Sequence, residues 1–261
     1  MSRRAHSALK IGAEIAVPVA IVACWQVWAA SADSQFFPPP LTILGEFRDL
    51  WLFAEFRTDV VPSVVRILLG FGIGAVVGIA LGIPLGLSAW SHRFAMPHIE
   101  YWRAMPPPAL LPISVILLHS IGNLQKVALI AFFCLFPVLL NTIEGVRGIG
   151  PTLIETAQSY GVPAGEQVRR IVFPAALPRI SAGMRLSLSL AVIIMVVAEY
   201  FSSTNGVGYV LLISKNTFQL ETMWAAILLI GLLGYVLNLL YLLAERRFLA
   251  WHRGWRAATP Q

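Results

Sequence analysis

Glu199 and Glu14 are carboxylates set inside long apolar runs, the first late in residues 181–202 and the second near the start of residues 11–30. A charge in such a place is costly, so each must serve some role, whether pairing with a cation, accepting backbone hydrogen bonds, or touching a passing solute. Glu199 admits two readings, a structural bond to backbone or a basic partner, and a gate or solute contact. A fixed negative charge would repel an anionic solute. Glu14 can reach the interface at its end of the run. Ser187 and Ser189 can line a polar path or return their hydrogen bonds to their own helix. Asn205, Gly206 and Gly208 allow either re-entry of the chain into a cavity or a plain turn. Met184 and Met195 suit packing better than solute contact, and Arg103 and Arg185 suit snorkelling better than binding. The apolar runs carry no paired acids, no His/Asp set and no nucleophile elbow, and no Gly-x-x-x-x-Gly-Lys-Ser/Thr occurs anywhere. His119 has no His or Cys at ligand spacing, and Cys24 and Cys134 read as core-filling thiols. Catalysis, nucleotide binding and a metal site are therefore not expected of this chain.

The elements that must position these residues follow from composition. Of 261 residues, 57% are hydrophobic and 12% charged, with a mean hydropathy of +0.75. Soluble domains average about 25% charged, so a water-soluble or disordered chain is excluded. Spans of about 20 apolar residues are expected at 11–30, 64–89, 104–119, 124–143, 181–202 and 223–244, giving an all-α membrane domain over 1–261. The first run could be a signal peptide, since Ala30-Ser31-Ala32 resembles a cleavage site. Its length and its Trp25, Gln26 and Trp28 favour a retained helix. Pro38-Pro39-Pro40 is rigid, and residues 42–60 have the spacing of an amphipathic helix lying at the external interface. Residues 91–103 read as an aqueous loop, Pro106, Pro107, Pro108 and Pro112 interrupt the third span, and 205–222 reads as an external loop. Gly70, Gly74, Gly78, Gly82 and Gly86 recur every four residues and form a groove that another helix can enter closely. That partner helix can belong to the same chain, to a second copy, or to a moving seam.

The net charge of +6 invites a nucleic-acid reading, but position decides against it. Arg3, Arg4, Lys10, Arg93, Arg103, Arg147, Arg169, Arg170, Arg179, Arg185, Arg246, Arg247, Arg253 and Arg256 fall on one side of the expected spans. Arg48, Arg57, Arg66, Lys126 and Lys215 fall on the other. The positive-inside bias then places both termini in the cytoplasm.

Residues 144–180 form one long, polar, basic internal loop, and a loop of that length in so compact a chain has a function. Pro151 can open a short helix, Gly161 can end it and Pro163 can start a second, giving a helix–turn–helix on the inner surface. The segment resembles the "EAA" loop of ABC-importer permeases: Glu155, Ala157, Gly161, Ile171 and Pro174 match at the family's spacing, while Thr156 stands where that pattern has alanine. Phe36-Phe37-Pro38, Arg66 to Gly86, Arg103 to Pro107, Asn141 to Arg147, Ala198-Glu199, Gly206-Val207-Gly208 and Glu245-Arg246-Arg247 are similar to the nitrate/sulfonate/taurine subgroup.

The resemblance implies a type I importer permease in a bacterial plasma membrane, working as a homodimer with two copies of an ABC ATPase and an extracytoplasmic solute-binding protein. It implies that Glu155, Thr156, Ala157, Tyr160, Gly161, Ile171 and Pro174 couple to the ATPase, which holds the ATP and Mg. The implied cargo is a small anion such as a sulfonate, taurine or nitrate. An importer of a pyrimidine precursor, or an ATP-independent channel or scaffold, is the alternative.

Overall fold

The computed structural model describes residues 3–32, 36–51, 55–119 and 122–249, with side chains from residue 16 onward. The side chains of Glu14, Arg3, Arg4, Lys10, Arg253 and Arg256 thus lie outside the described ones. Every regular element among the described residues is helical: α1 (Arg3–Ala32), α2 (Pro40–Asp49), α3 (Val61–Leu87), α4 (Ala89–Arg103), α5 (Pro107–Leu118), α6 (Asn123–Arg147), α7 (Pro151–Ser159), α8 (Ala164–Gln167), α9 (Phe173–Ser202), α10 (Val207–Asn216) and α11 (Leu220–Phe248). Among the described residues, four continuous helical runs are long and apolar enough to cross a membrane: Phe56–Leu87, Asn123–Arg147, Ala164–Ser202 and Leu220–Phe248.

Helix α6 is the centre of the bundle. Its Leu129, Ile130, Phe133 and Cys134 share one core with Ile67 of α3 and with Leu188, Ala191, Ile194 and Met195 of α9. The glycine row of α3 settles which helix enters its groove. A Cβ on Gly74 would stand 2.6 Å from the Ala131 carbonyl oxygen, one on Gly82 2.6 Å from Thr142 Cβ, and one on Gly86 2.7 Å from Val146 Cβ. The partner is therefore α6 of the same chain. In lipid, where apolar surface gains little by leaving the solvent, such close backbone approach is what van der Waals packing needs. Gly183 of α9 repeats the device on the other flank of α6, its would-be Cβ 2.7 Å from the Pro137 carbonyl oxygen. Gly74→Ala, which meets backbone, is expected to cost about 1–3 kcal/mol of stability. Gly72→Ala, with nothing within 4 Å, should be neutral or slightly stabilising. Thermal unfolding of the detergent-solubilised protein compares the two.

Several boundaries differ from the sequence expectation. Residues 91–103 are not a loop but the helix α4, whose Ala95, Met96 and Ile99 pack on Phe136, Leu139 and Ile143 of α6. His92, Arg93, His98 and Glu100 masked that apolar stripe. The third expected span, 104–119, holds only the 12 residues of α5, too short to cross alone. The loop 144–180 is mostly helical, because the long helix ending at Ser202 begins at Ala164 rather than at 181. Ile171 and Pro174 thus belong to that helix. Pro174 cannot donate a backbone bond, and the wide π turn Val168–Val172 just before it absorbs the mismatch. The external loop 205–222 contains α10. The amphipathic stretch 42–60 divides into α2 and a π turn at Phe56–Val60 that runs straight into α3.

Candidate functional site

At one end of the bundle α7 forms a short hairpin with the start of α8. Its buried side is small: Ala157 is enclosed, and Ile154 leans on a cluster of Val146, Val172, Ala176 and Ile180. Its other side is open. Tyr160 is 84% exposed and Leu153 49%, Glu155 is exposed, and the Glu155 carboxylate makes no ion pair among the described residues. Two hydroxyls bind back to the helix, Thr156 Oγ1 to the Thr152 carbonyl at 2.7 Å and Ser159 Oγ to the Glu155 carbonyl at 2.9 Å. Threonine in place of alanine at 156 is thereby satisfied without a partner outside α7.

The exit from α7 needs a left-handed residue. Gly161 has φ +69°, and the Val162 N–H then donates to the Ala157 carbonyl at 3.1 Å while the Gly161 N–H donates to Gln158 at 2.9 Å. These are the closing bonds of a glycine-terminated helix. Gln167 of α8 ties the second arm by donating its Nε2 to the Val162 carbonyl at 2.7 Å. The outcome is a stiff, amphiphilic knuckle seated on α6 and α9, with an aromatic ring and a carboxylate presented outward.

At the opposite end lies a buried polar clamp. Arg66 of α3 and Glu199 of α9 pair at 2.5 Å, their side chains 3% and 0% exposed. All five guanidinium N–H groups are used. Besides Glu199, they reach the Asn205 carbonyl at 3.2 Å, Asn205 Oδ1 at 2.7 Å, and Asn123 Oδ1 from Nε at 2.9 Å and from Nη2 at 2.7 Å. Glu199 also accepts from Ser63 Oγ at 2.8 Å and from the Gly208 N–H at 3.0 Å. The Gly206 N–H donates to Asp59 Oδ1 at 2.5 Å, with Gly206 at φ +113°. Residues 205–208 are thus a tight corner nailed to α3, and Glu199 has no face left for a cavity.

Ser187 does not face a path either. It is buried, donating to the Cys134 carbonyl at 2.8 Å, while Cys134 Sγ donates to the Ser187 carbonyl at 3.4 Å. Ser187→Ala should cost about 1 kcal/mol of stability and leave transport rates unaltered, which thermal unfolding and uptake assays read separately. Ser189 is exposed on α9 and returns its hydroxyl to the Arg185 carbonyl. Met195 is fully buried in the core. Of the residues singled out for a pathway, only Ser189 lies on an open surface. Arg66 and Asn123, the clamp's other poles, were not singled out from the sequence. Arg66 looked like one more external charge, and nothing local marks a partner 133 positions away.

Long apolar helices packed around one core, with a short hairpin projecting from one end, are an architecture suited to a membrane transport subunit. Likeness to known proteins makes this specific. Residues 74–250 match the family described as binding-protein-dependent transport system inner membrane component, and the chain belongs to that family. It is 34% identical over 238 residues to the putative aliphatic sulfonates transport permease protein SsuC of Escherichia coli (strain K12), covering 90% of each chain. To the protein of the same name from Bacillus subtilis (strain 168) it is 32% identical, covering 92% of this chain and 87% of that one. The taurine transport system permease protein TauC of Escherichia coli (strain K12) is 28% identical, covering 87% and 86%. The fold is also that of a chain in inward-facing structures of the MetNI methionine ABC transporter, with a TM-score of 0.65, 19% identity, and 81% of this chain and 98% of that one covered. The chain is therefore an ABC-importer permease subunit of a cell membrane.

Proposed function

We propose that two copies of this chain form the translocation pathway of an ATP-driven importer for a small anion, a sulfonate, taurine, nitrate or related organic acid. An extracytoplasmic binding protein delivers the solute, and two separate ATPase subunits bind ATP and Mg. The observation that carries the reading is the knuckle at α7. Its outward face offers Tyr160 and the Glu155 carboxylate, its inward face packs on α6 and α9, and Gly161 fixes the angle between its arms. A groove on an ATPase can hold such a knuckle and move it as a rigid body when the ATPases close.

In this reading the knuckle end is cytoplasmic, both termini lie on that side, and the clamp end faces outward with α2 at the interface. Six crossings per copy are reached if α1 is retained and if α4 and α5 together make the third as a broken helix. The names of the sulfonate and taurine relatives favour an organic anion. Proteoliposomes containing this chain, the ATPase and the binding protein test the proposal with a panel of labelled anions. ATP-dependent accumulation of a sulfonate, taurine or nitrate is expected. Uptake of only a neutral pyrimidine precursor, or flux that needs no ATPase, would contradict it.

A further inference from the structure

The break between α4 and α5 opens onto a cavity of about 670 Å³ bounded by α4, α6 and α9, within the usual size range of small-molecule sites. Its depth follows from packing. Trp102 stands edge-on against Phe132 with ring centroids 5.8 Å apart, and Ile99 packs on Phe136 and Leu139, so the last turn of α4 reaches the middle of α6. Non-helical backbone at such a level is tolerated where it lines a polar cavity.

The cavity walls are apolar side chains of α6 and α9, and the polar groups among them are Glu100, Arg103, Asn141 and Glu144. Arg103 directs Nε and Nη2 at a single oxygen, Oε2 of Glu100, at 2.7 and 2.6 Å. The two side chains are 48% and 46% exposed. This is the reverse of Arg66, whose every N–H is occupied: Arg103 keeps donors unused beside the cavity. Pro106, Pro107 and Pro108 supply no N–H at the start of α5, and the Ala109 N–H is spent on the Pro106 carbonyl at 3.0 Å, so that helix end leaves the cavity no donor in its first turn. Asn141 uses one Nδ2 hydrogen on the Pro137 carbonyl at 2.8 Å and has a second amide hydrogen to give. Glu144 is engaged by Arg179 at 3.4 Å.

We infer that this cavity is a binding subsite for the transported anion, in which Arg103 exchanges the Glu100 carboxylate for oxygens of the solute. The inference rests on the anion-importer reading above. A planar guanidinium at mid-depth grips an oxyanion with paired, charge-assisted bonds. A permanent competitor three residues away on the same helix keeps that grip weak enough for release, which conduction requires. Glu100 is the resident anion that the cargo displaces.

The test uses the full complex of chain, ATPase and binding protein, with whichever labelled anion the wild type accumulates. Arg103→Gln is expected to lower uptake tenfold or more, and Arg103→Lys to recover part of it. Glu100→Gln removes the competitor, so equilibrium binding of the labelled anion to the nucleotide-free complex should rise fivefold or more and its release should slow. A merely structural ion pair would not tighten anion binding on losing its carboxylate. Wild-type uptake in Arg103→Gln, or unchanged anion binding in Glu100→Gln, would overturn the inference. A wild-type complex that moves only neutral solutes would overturn the anion reading and this inference with it, and needs no variant to detect.

Discussion

Gly161→Val is expected to abolish ATP-driven uptake almost completely, by tenfold or more, in a complex whose chain is still folded and inserted. The reason is conformational, not steric. Nothing lies within 4 Å of a Cβ built on Gly161, yet its φ is +69°, where an L-residue pays about 1–2 kcal/mol and a β-branched one more. A valine drives the backbone out of the left-handed region, breaks the bond from Val162 to Ala157, and frays the turn that presents Tyr160. Gly161→Asn should retain much of the uptake, since asparagine tolerates this conformation and open space surrounds it. The graded series Gly, Asn, Ala, Val, read as uptake per ATP hydrolysed in proteoliposomes, separates a conformational role from a contact role. Equal uptake across the series would remove Gly161 from the coupling mechanism.

The second large effect belongs to the clamp. Glu199→Ala leaves the Arg66 guanidinium buried with its charge uncompensated, and breaking a buried pair from one side costs about 3–5 kcal/mol. The expected result is a steep fall in the melting temperature of the solubilised protein and in the amount recovered from membranes. Glu199→Gln, which keeps the side-chain shape but loses the charge and one of the two acceptor oxygens, should fall between. Replacing both partners by apolar residues of similar volume, Arg66→Met with Glu199→Leu, should be less damaging than Glu199→Ala alone, because no orphan charge is left. If the single and double variants were equally destabilised, the pair would not be acting as a unit.

The clamp also shows what the residues could disclose and what they could not. Glu199 announced itself because a carboxylate in an apolar run is rare. Arg66 did not, because it stands near the start of its run and resembles an interfacial charge. Only the fold brings α3, α6, α9 and the corner at 205–208 to one point. The glycine row of α3 was fully legible as a groove, since a four-residue period is geometric, but the occupant was not, because Thr142 and Val146 carry no mark of what they face. Gly161 and Pro163 gave the knuckle its turn, while the long helix beginning at Ala164 was hidden by Arg169, Arg170, Pro174 and Pro178, whose polar and helix-breaking character imitates a loop. The same masking hid α4, and with it the cavity at the break with α5.

On the proposed reading, transport by this chain requires the α7 knuckle to touch an ATPase. Cys134 is buried and Cys24 exposed, so Tyr160→Cys in a Cys24→Ser background carries one accessible thiol at the knuckle's tip. A short thiol–amine cross-linker applied to membranes containing the full complex should join this chain to the ATPase subunit and stop uptake as the adduct forms. No adduct while ATP-driven uptake continues, or a thiol reached only by an impermeant reagent added outside the cell, would contradict coupling through the knuckle.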